Sequence, residues 1–169
     1  YTISGGTAFF DRKEVKDMLA YLVCVHMPKE VSLRRIVNVP QRGVGDESLA
    51  KVEKFMLARK EPISFIKALR LSTHLEFLSQ GTRKGVSKFL DELQLLRNDF
   101  DSNESIDWEK RLVSYFHEIG YRKYIAKFCK NDEALKRRWM SVEIFARVFS
   151  NFMRKKQEKK KGLQEFIDM

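Results

Sequence analysis

Apolar residues recur at helical spacing along two long stretches of this chain, and neither stretch contains a proline. Over residues 82–101 the stripe is Val86, Phe89, Leu90, Leu93, Leu96 and Phe100; over 131–156 it is Leu135, Trp139, Val142, Phe145, Phe149 and Phe152. A period near 3.6 puts each set on one face of a helix. Shorter stretches repeat the pattern, with Val15, Met18, Leu19, Leu22 and Val25 over 11–26 and Ile106, Leu112, Val113, Phe116 and Ile119 over 105–119. Eight Gly and three Pro in 169 residues leave too little punctuation for many short strands. The expectation is an all-α, irregular multi-helix bundle in a single domain over 1–169, preceded by a short strand at residues 1–4. That strand reads as one entered mid-stream, as in a piece of a longer polypeptide.

Local signals set the expected boundaries. Asp11 and Glu14 have capping-box spacing, and Phe10 and Val15 stand at the positions of a hydrophobic staple. The helix that follows, to about His26, is apolar nearly all round and is expected at the centre of the fold. Pro28 resets the chain before a short helix over 30–37. A hairpin at 38–45 leads into a helix starting at Asp46 or Ser48, and Glu61-Pro62 breaks it. Another short helix falls near 64–71, and Gly120 is a credible helix C-cap. A short helical piece around 121–128 precedes the longest helix. Lys159, Lys160, Lys161 and Gly162 read as a basic linker before a last helix from Leu163.

The net charge is +10, and residues 122–161 carry all of it, with 14 Lys/Arg against 4 Asp/Glu. Such a field attracts polyanions, or else solubilises an exposed helix. Arg137, Arg138, Lys155, Lys156, Lys159, Lys160 and Lys161 are the candidate basic surface.

No chemistry for catalysis stands out. The phosphate loop Gly-x-x-x-x-Gly-Lys-Ser/Thr is missing. His26, His74 and His117 are scattered and read as surface or half-buried helix residues, so no metal site is expected. Asp91-Glu92 and Asp46-Glu47 read as solvated faces and helix starts. Cys24 and Cys129 make no disulfide framework and suit a reducing cytosol. There is no apolar run of membrane-spanning length and no basic-then-apolar leader. This stretch of chain is expected to be no enzyme by itself and to bind no cofactor.

Gly43-Val44-Gly45 is the exception. Two glycines let the backbone turn without Cβ clashes, so that neighbouring amides point outward together. A helix start just beyond adds free amides and a positive dipole end, which is an arrangement suited to phosphate. Arg42 and Lys51 would add charge. With Val39-Pro40 upstream and Leu49-Ala50-Lys51-Val52 downstream, the segment has a helix-hairpin-helix pattern with two additional residues before the first glycine. Such a device grips the nucleic-acid backbone without reading bases. Taken alone, Gly-x-Gly also fits an ordinary interhelical turn.

Two longer motifs bear on that choice. Gly5, Gly6, Phe9, Phe10, Arg12, Glu14, Val15, Lys16 and Asp17, then Ala20, Tyr21 and Leu22, form the first. Leu33, Arg35, Ile36, Asn38, Pro40, Arg42, Gly43, Val44 and Gly45 form the second. In order and spacing they resemble the UvrD/Rep/PcrA-type superfamily 1 DNA helicases, and the opening residues resemble the Rep branch most. The resemblance implies a 2B subdomain, an all-helical insertion in the second RecA-like domain. Residues 1–10 would then be the junction with the 2A domain, the opening strand would belong to the parent RecA-like domain, and Gly5, Gly6, Phe9 and Phe10 would be hinge or junction residues. The parent implied is an ATP-dependent 3′-to-5′ helicase of DNA replication or repair, cytoplasmic and nucleoid-associated in a bacterium, with ATP and Mg²⁺ in its motor domains. The insertion implied swivels on those motor domains and grips duplex or forked DNA. A docking module that presents the C-terminal basic helices to an acidic protein is the alternative.

Overall fold

A computed structural model describes the backbone of residues 6–169 and the side-chain surroundings from residue 8 onward. The expected strand at 1–4 and the hinge residue Gly5 lie outside the described residues, and Gly6 opens the first helix. The described chain is all α. In order the helices are α1 (Gly6–Phe10), α2 (Lys13–His26), α3 (Glu30–Ile36), α4 (Asp46–Leu57) and α5 (Phe65–Ser72). They continue as α6 (Gln80–Asp101), α7 (Trp108–Glu118), α8 (Tyr121–Ala126), α9 (Asp132–Met153) and α10 (Lys159–Ile167).

α2 is the axis of the bundle, packing against α1, α3, α6, α9 and α10. Val15, Met18, Tyr21 and Leu22 on it are sealed from solvent, as its nearly continuous apolar surface requires. The stripes of α6 and α9 close over it through Phe89, Leu96, Phe145 and Phe149. Ser64, Ser79, Asp107 and Asn131 cap α5, α6, α7 and α9, each accepting from the amide three residues on. Gly120 takes a left-handed φ of 86° between α7 and α8, as a helix-ending glycine should.

Three local expectations need correction. Arg12, not Asp11, is the N-cap residue of α2, and it makes no side-chain cap bond. With the cap shifted by one residue, Phe10 and Val15 leave the staple positions; Phe10 is 40% exposed and lies edge-on to Phe9, which is buried. Glu14 is buried and pairs with Arg138 on α9, so its carboxylate does not return to its own helix start. The presumed linker Lys159 to Gly162 is the first turn of α10, held down by its own lysines. Lys159 Nζ donates to the Asp99 and Ser102 carbonyls at the end of α6, a cation on a helix C-terminus. Lys160 pairs with Asp101 and Lys156 with Glu165.

Candidate nucleic-acid interface

α3 and α4 are joined by residues 37–45, which form the helix-hairpin-helix-like element. One side chain organises the turn. Asn38 Oδ1 accepts from the amide of Arg42 at 2.7 Å and from the amide of Val44 at 3.1 Å, folding the loop back on itself. Gly43 occupies a left-handed φ of 75°, where a Cβ would be strained. The loop enters through a cis Val39–Pro40 peptide.

Arg42 points inward, contrary to the expectation that it adds charge at the surface. Its side chain is 2% exposed. Nη1 donates to the Ile36 and Val37 carbonyls at the end of α3 and to the Pro40 carbonyl, at 3.0, 3.1 and 3.2 Å. Nη2 donates to Tyr21 Oη and to Glu92 Oε2, at 2.7 and 2.6 Å. The guanidinium thus closes α3, ties the loop to α2 and α6, and lies over the Phe89 ring. Burial opposes its charge, but Tyr21 and Glu92 outweigh burial and its pKa is raised. Burial also pushes the Tyr21 and Tyr115 phenols well above their ordinary range, so both remain donors at neutral pH. Tyr21 donates to the Val39 carbonyl and Tyr115 to the Glu92 carbonyl. Glu92, expected on a solvated face, is the buried anion of this network; Asp91 beside it is exposed.

The loop also rests on α6. Thr82 Oγ1 donates to the Gly43 carbonyl at 3.1 Å, and Gly85 lets the α6 backbone approach the Arg42 carbonyl so closely that a Cβ would overlap it.

What remains at the surface is narrower than the motif suggests. Gly43, Gly45 and Lys51 are exposed. Val44 is buried and its amide is taken by Asn38, so within Gly43-Val44-Gly45 it is the two glycine amides that lack an acceptor among the described residues. They stand beside the first turn of α4, whose amides are free to bind. Asp46 and Glu47 sit in that same turn and oppose a second anion there.

The lysines at the start of α10 do not join this site. Asp101, the partner of Lys160, and Thr82, the partner of the loop, stand at opposite ends of α6, about 28 Å apart at 1.5 Å per residue. Arg138, Lys156, Lys159 and Lys160 are engaged within the molecule, while Arg137, Lys155 and Lys161 are exposed without an ion pair among the described residues. Lys127 reaches the loop, its Nζ donating to Gln41 Oε1 at 3.3 Å, and Arg34 and Arg35 of α3 line the hollow beside Gly45. Tyr124 on α8 lines the same hollow as Asn38, Gln41 and Gly45. Sequence reasoning passed over Lys127 and Tyr124, and the available signal was Lys127-Phe128, an apolar ring set among lysines just after a short helix.

The loop does not have the phosphate-loop sequence. Asp46 and Glu47 follow Gly45 where a phosphate loop needs Lys and Ser/Thr. Among the described residues no group of three His, Cys, Asp or Glu side chains could hold a metal ion. No helix among them is long and apolar enough to cross a membrane. Burial pushes the Cys24 thiol up to about 12, which leaves it unreactive.

The family described as UvrD-like helicase C-terminal domain matches residues 1–169. The ATP-dependent DNA helicase PcrA of Bacillus subtilis is 34% identical over 161 residues, which is 94% of this chain and 21% of the relative. The PcrA of Leuconostoc citreum is 30% identical over 153 residues, 90% of the chain and 20% of the relative. The ATP-dependent DNA helicase Rep of Buchnera aphidicola is 27% identical over 155 residues, 91% of the chain and 23% of the relative. These identities do not favour the Rep branch over PcrA. The chain spans about a fifth of the length of these relatives.

Proposed function

The chain belongs to the UvrD-like helicase C-terminal domain family, and from that premise we propose that it is a 2B-type insertion that grips duplex DNA by its phosphate backbone. The parent would be an ATP-dependent 3′-to-5′ DNA helicase acting in replication or repair. Its ATP and Mg²⁺ would bind on motor domains outside this chain, and the insertion would swivel on those domains about a hinge near Gly5 and Gly6.

One observation carries the reading. Gly43 and Gly45 are exposed beside the start of α4, their amides have no acceptor among the described residues, and their loop is fixed from behind by Asn38, Arg42 and Gly85. A preorganised amide pair binds an anionic strand without the cost of ordering the loop. Lys51, exposed on α4, would contribute a point charge. The contacts are to phosphate, so binding is sequence-independent and weak, with Kd on the order of 10⁻⁴ to 10⁻⁶ M at physiological salt. Log affinity falls linearly with log salt, by about 0.9 for each phosphate neutralised.

Gly45→Ala separates binding from folding. A Cβ at Gly45 meets nothing within 4 Å, and its φ of −83° suits alanine. The variant should keep the parent's urea midpoint. The methyl group would stand where a phosphate oxygen must approach, and losing one hydrogen bond to a charged group costs about 1.5 kcal/mol, or tenfold in affinity. Anisotropy titration of a labelled duplex measures this. Affinity equal to the parent's would remove the glycine loop from the interface.

Neutralising the first turn of α4 should act in the opposite sense. Asp46→Asn with Glu47→Gln removes two exposed carboxylates beside the bound phosphate. Duplex affinity is expected to rise about threefold at low salt and to converge on the parent's at high salt. Stability should drop by about 0.5–1 kcal/mol, because both carboxylates complement the helix dipole. Unchanged affinity at low salt would place the phosphate elsewhere.

A further inference from the structure

Phe128 is 59% exposed, yet its ring is held edge-on against Tyr124 with centroids 5.3 Å apart. The backbone around it is ordered. Lys127, Phe128 and Cys129 each donate an amide to a carbonyl three residues back, continuing α8 as overlapping turns. Lys123, Lys127 and Lys130 lie within five residues of Phe128 in sequence, are all exposed, and have no acidic partner among the described residues. The platform adjoins the candidate duplex site, since Lys127 touches Gln41 and Tyr124 shares a hollow with Gly45.

A fixed, exposed aromatic ring among unpaired lysines is what a strand with accessible bases requires. The lysines meet phosphates and the ring meets the face of a base. Inside a duplex those faces are covered by neighbouring pairs, so a ring gains access only where pairing ends. Phe carries no hydrogen-bonding group, so the contact is blind to which base it meets.

We propose that Phe128, with Lys123, Lys127 and Lys130, is a stacking platform for an unpaired base at the end of the duplex that the 38–45 loop holds. The location of that duplex rests on the function proposed above; the stacking contact rests on Phe128 alone.

The test uses the 169-residue chain with three labelled DNAs: a blunt duplex, and the same duplex with an unpaired extension on either the 3′ or the 5′ strand. One of the two extended forms is expected to bind about fivefold or more tighter than the blunt form, the lower end of what stacking of one base contributes. Phe128→Ala should abolish that gain and leave blunt-duplex affinity and the melting temperature unchanged. Phe128→Trp should retain the gain, and the new indole should be quenched by the extended DNA only. Gly45→Ala should weaken all three DNAs equally. If Gly45→Ala leaves the blunt duplex untouched while Phe128→Ala still removes the extension's gain, the duplex reading fails and the stacking contact stands. If neither extension improves binding, or Phe128→Ala weakens blunt and extended DNA alike, the inference is overturned. It is equally overturned if the chain binds poly-L-glutamate more tightly than any of the DNAs and Phe128→Ala weakens both, because the surface then serves an acidic protein.

Discussion

Replacing Arg42 with methionine should lower stability by about 3–5 kcal/mol, the range for removing one partner of a buried ion pair. For a domain of this size that is a fall of roughly 6–20 °C in melting temperature. The loss has several sources. Glu92 keeps a buried carboxylate with no guanidinium, the Ile36, Val37 and Pro40 carbonyls lose their donor, and Tyr21 Oη loses the bond it accepts. Arg42→Lys should recover little, since one ammonium cannot reach three carbonyls, a hydroxyl and a carboxylate that the planar fork reaches together. Combining Arg42→Met with Glu92→Leu should restore part of the loss, because no unpaired charge then remains buried. Urea unfolding of the single and double variants measures the coupling. A surface arginine contacting phosphate would behave in the reverse way, with an unchanged urea midpoint and a salt slope of duplex binding shallower by about 0.9. That outcome would show that Arg42 faces outward after all.

The same residue shows where sequence reasoning runs out. The helices were legible because their signal is periodic and local: Val86 through Phe100 and Trp139 through Phe149 announce a buried face without reference to the rest of the chain. The helix-ending glycine Gly120 was legible, and the N-cap was misjudged where neighbours competed, as at Asp11 and Arg12. Buried charge was not legible. Glu14, Asp17 and Glu92 look like surface carboxylates in sequence. Their partners Arg138, Arg35 and Arg42 lie 124, 18 and 50 residues away, and only tertiary packing brings them together. Tyr121 likewise donates to Asp17 across 104 residues. The motif residues that carry the family resemblance divide in the same way. Glu14, Asp17, Tyr21 and Arg42 are internal scaffold and Asn38 is half-buried, while Arg35, Gly43 and Gly45 of the second motif are exposed. The motif therefore misassigned the task of its most charged member, because Arg42 is buried inside the fold.

Gly85 gives the second large effect, and it runs against helix propensity. A glycine inside a helix ordinarily destabilises it by about 1 kcal/mol relative to alanine, so Gly85→Ala read from sequence should stabilise α6. Here the added Cβ would overlap the Arg42 carbonyl oxygen and lie 3.2 Å from Val44 Cγ2. The obstacle is backbone, and it cannot turn aside as a flexible side chain would. The loop carrying it is tied by Asn38 to two of its own amides, by Arg42 to α3, and by Thr82 to α6. Either the loop shifts and those bonds lengthen, or α6 retreats and opens a gap around Phe89. Overpacking of this kind costs about 1–3 kcal/mol, and the rigid neighbour puts Gly85→Ala at the upper end. Gly81→Ala is the matched control, because a Cβ at Gly81 meets nothing within 4 Å, and it should stabilise by a few tenths of a kcal/mol. Opposite signs for two Gly→Ala changes four residues apart on one helix would establish the close approach of α6 to the loop. Duplex affinity should follow stability only at Gly85, because displacing the Arg42 carbonyl moves the neighbouring Gly43 amide. Stabilisation by both changes would mean that α6 stands clear of the loop, and the amide pair would lose the support that preorganises it.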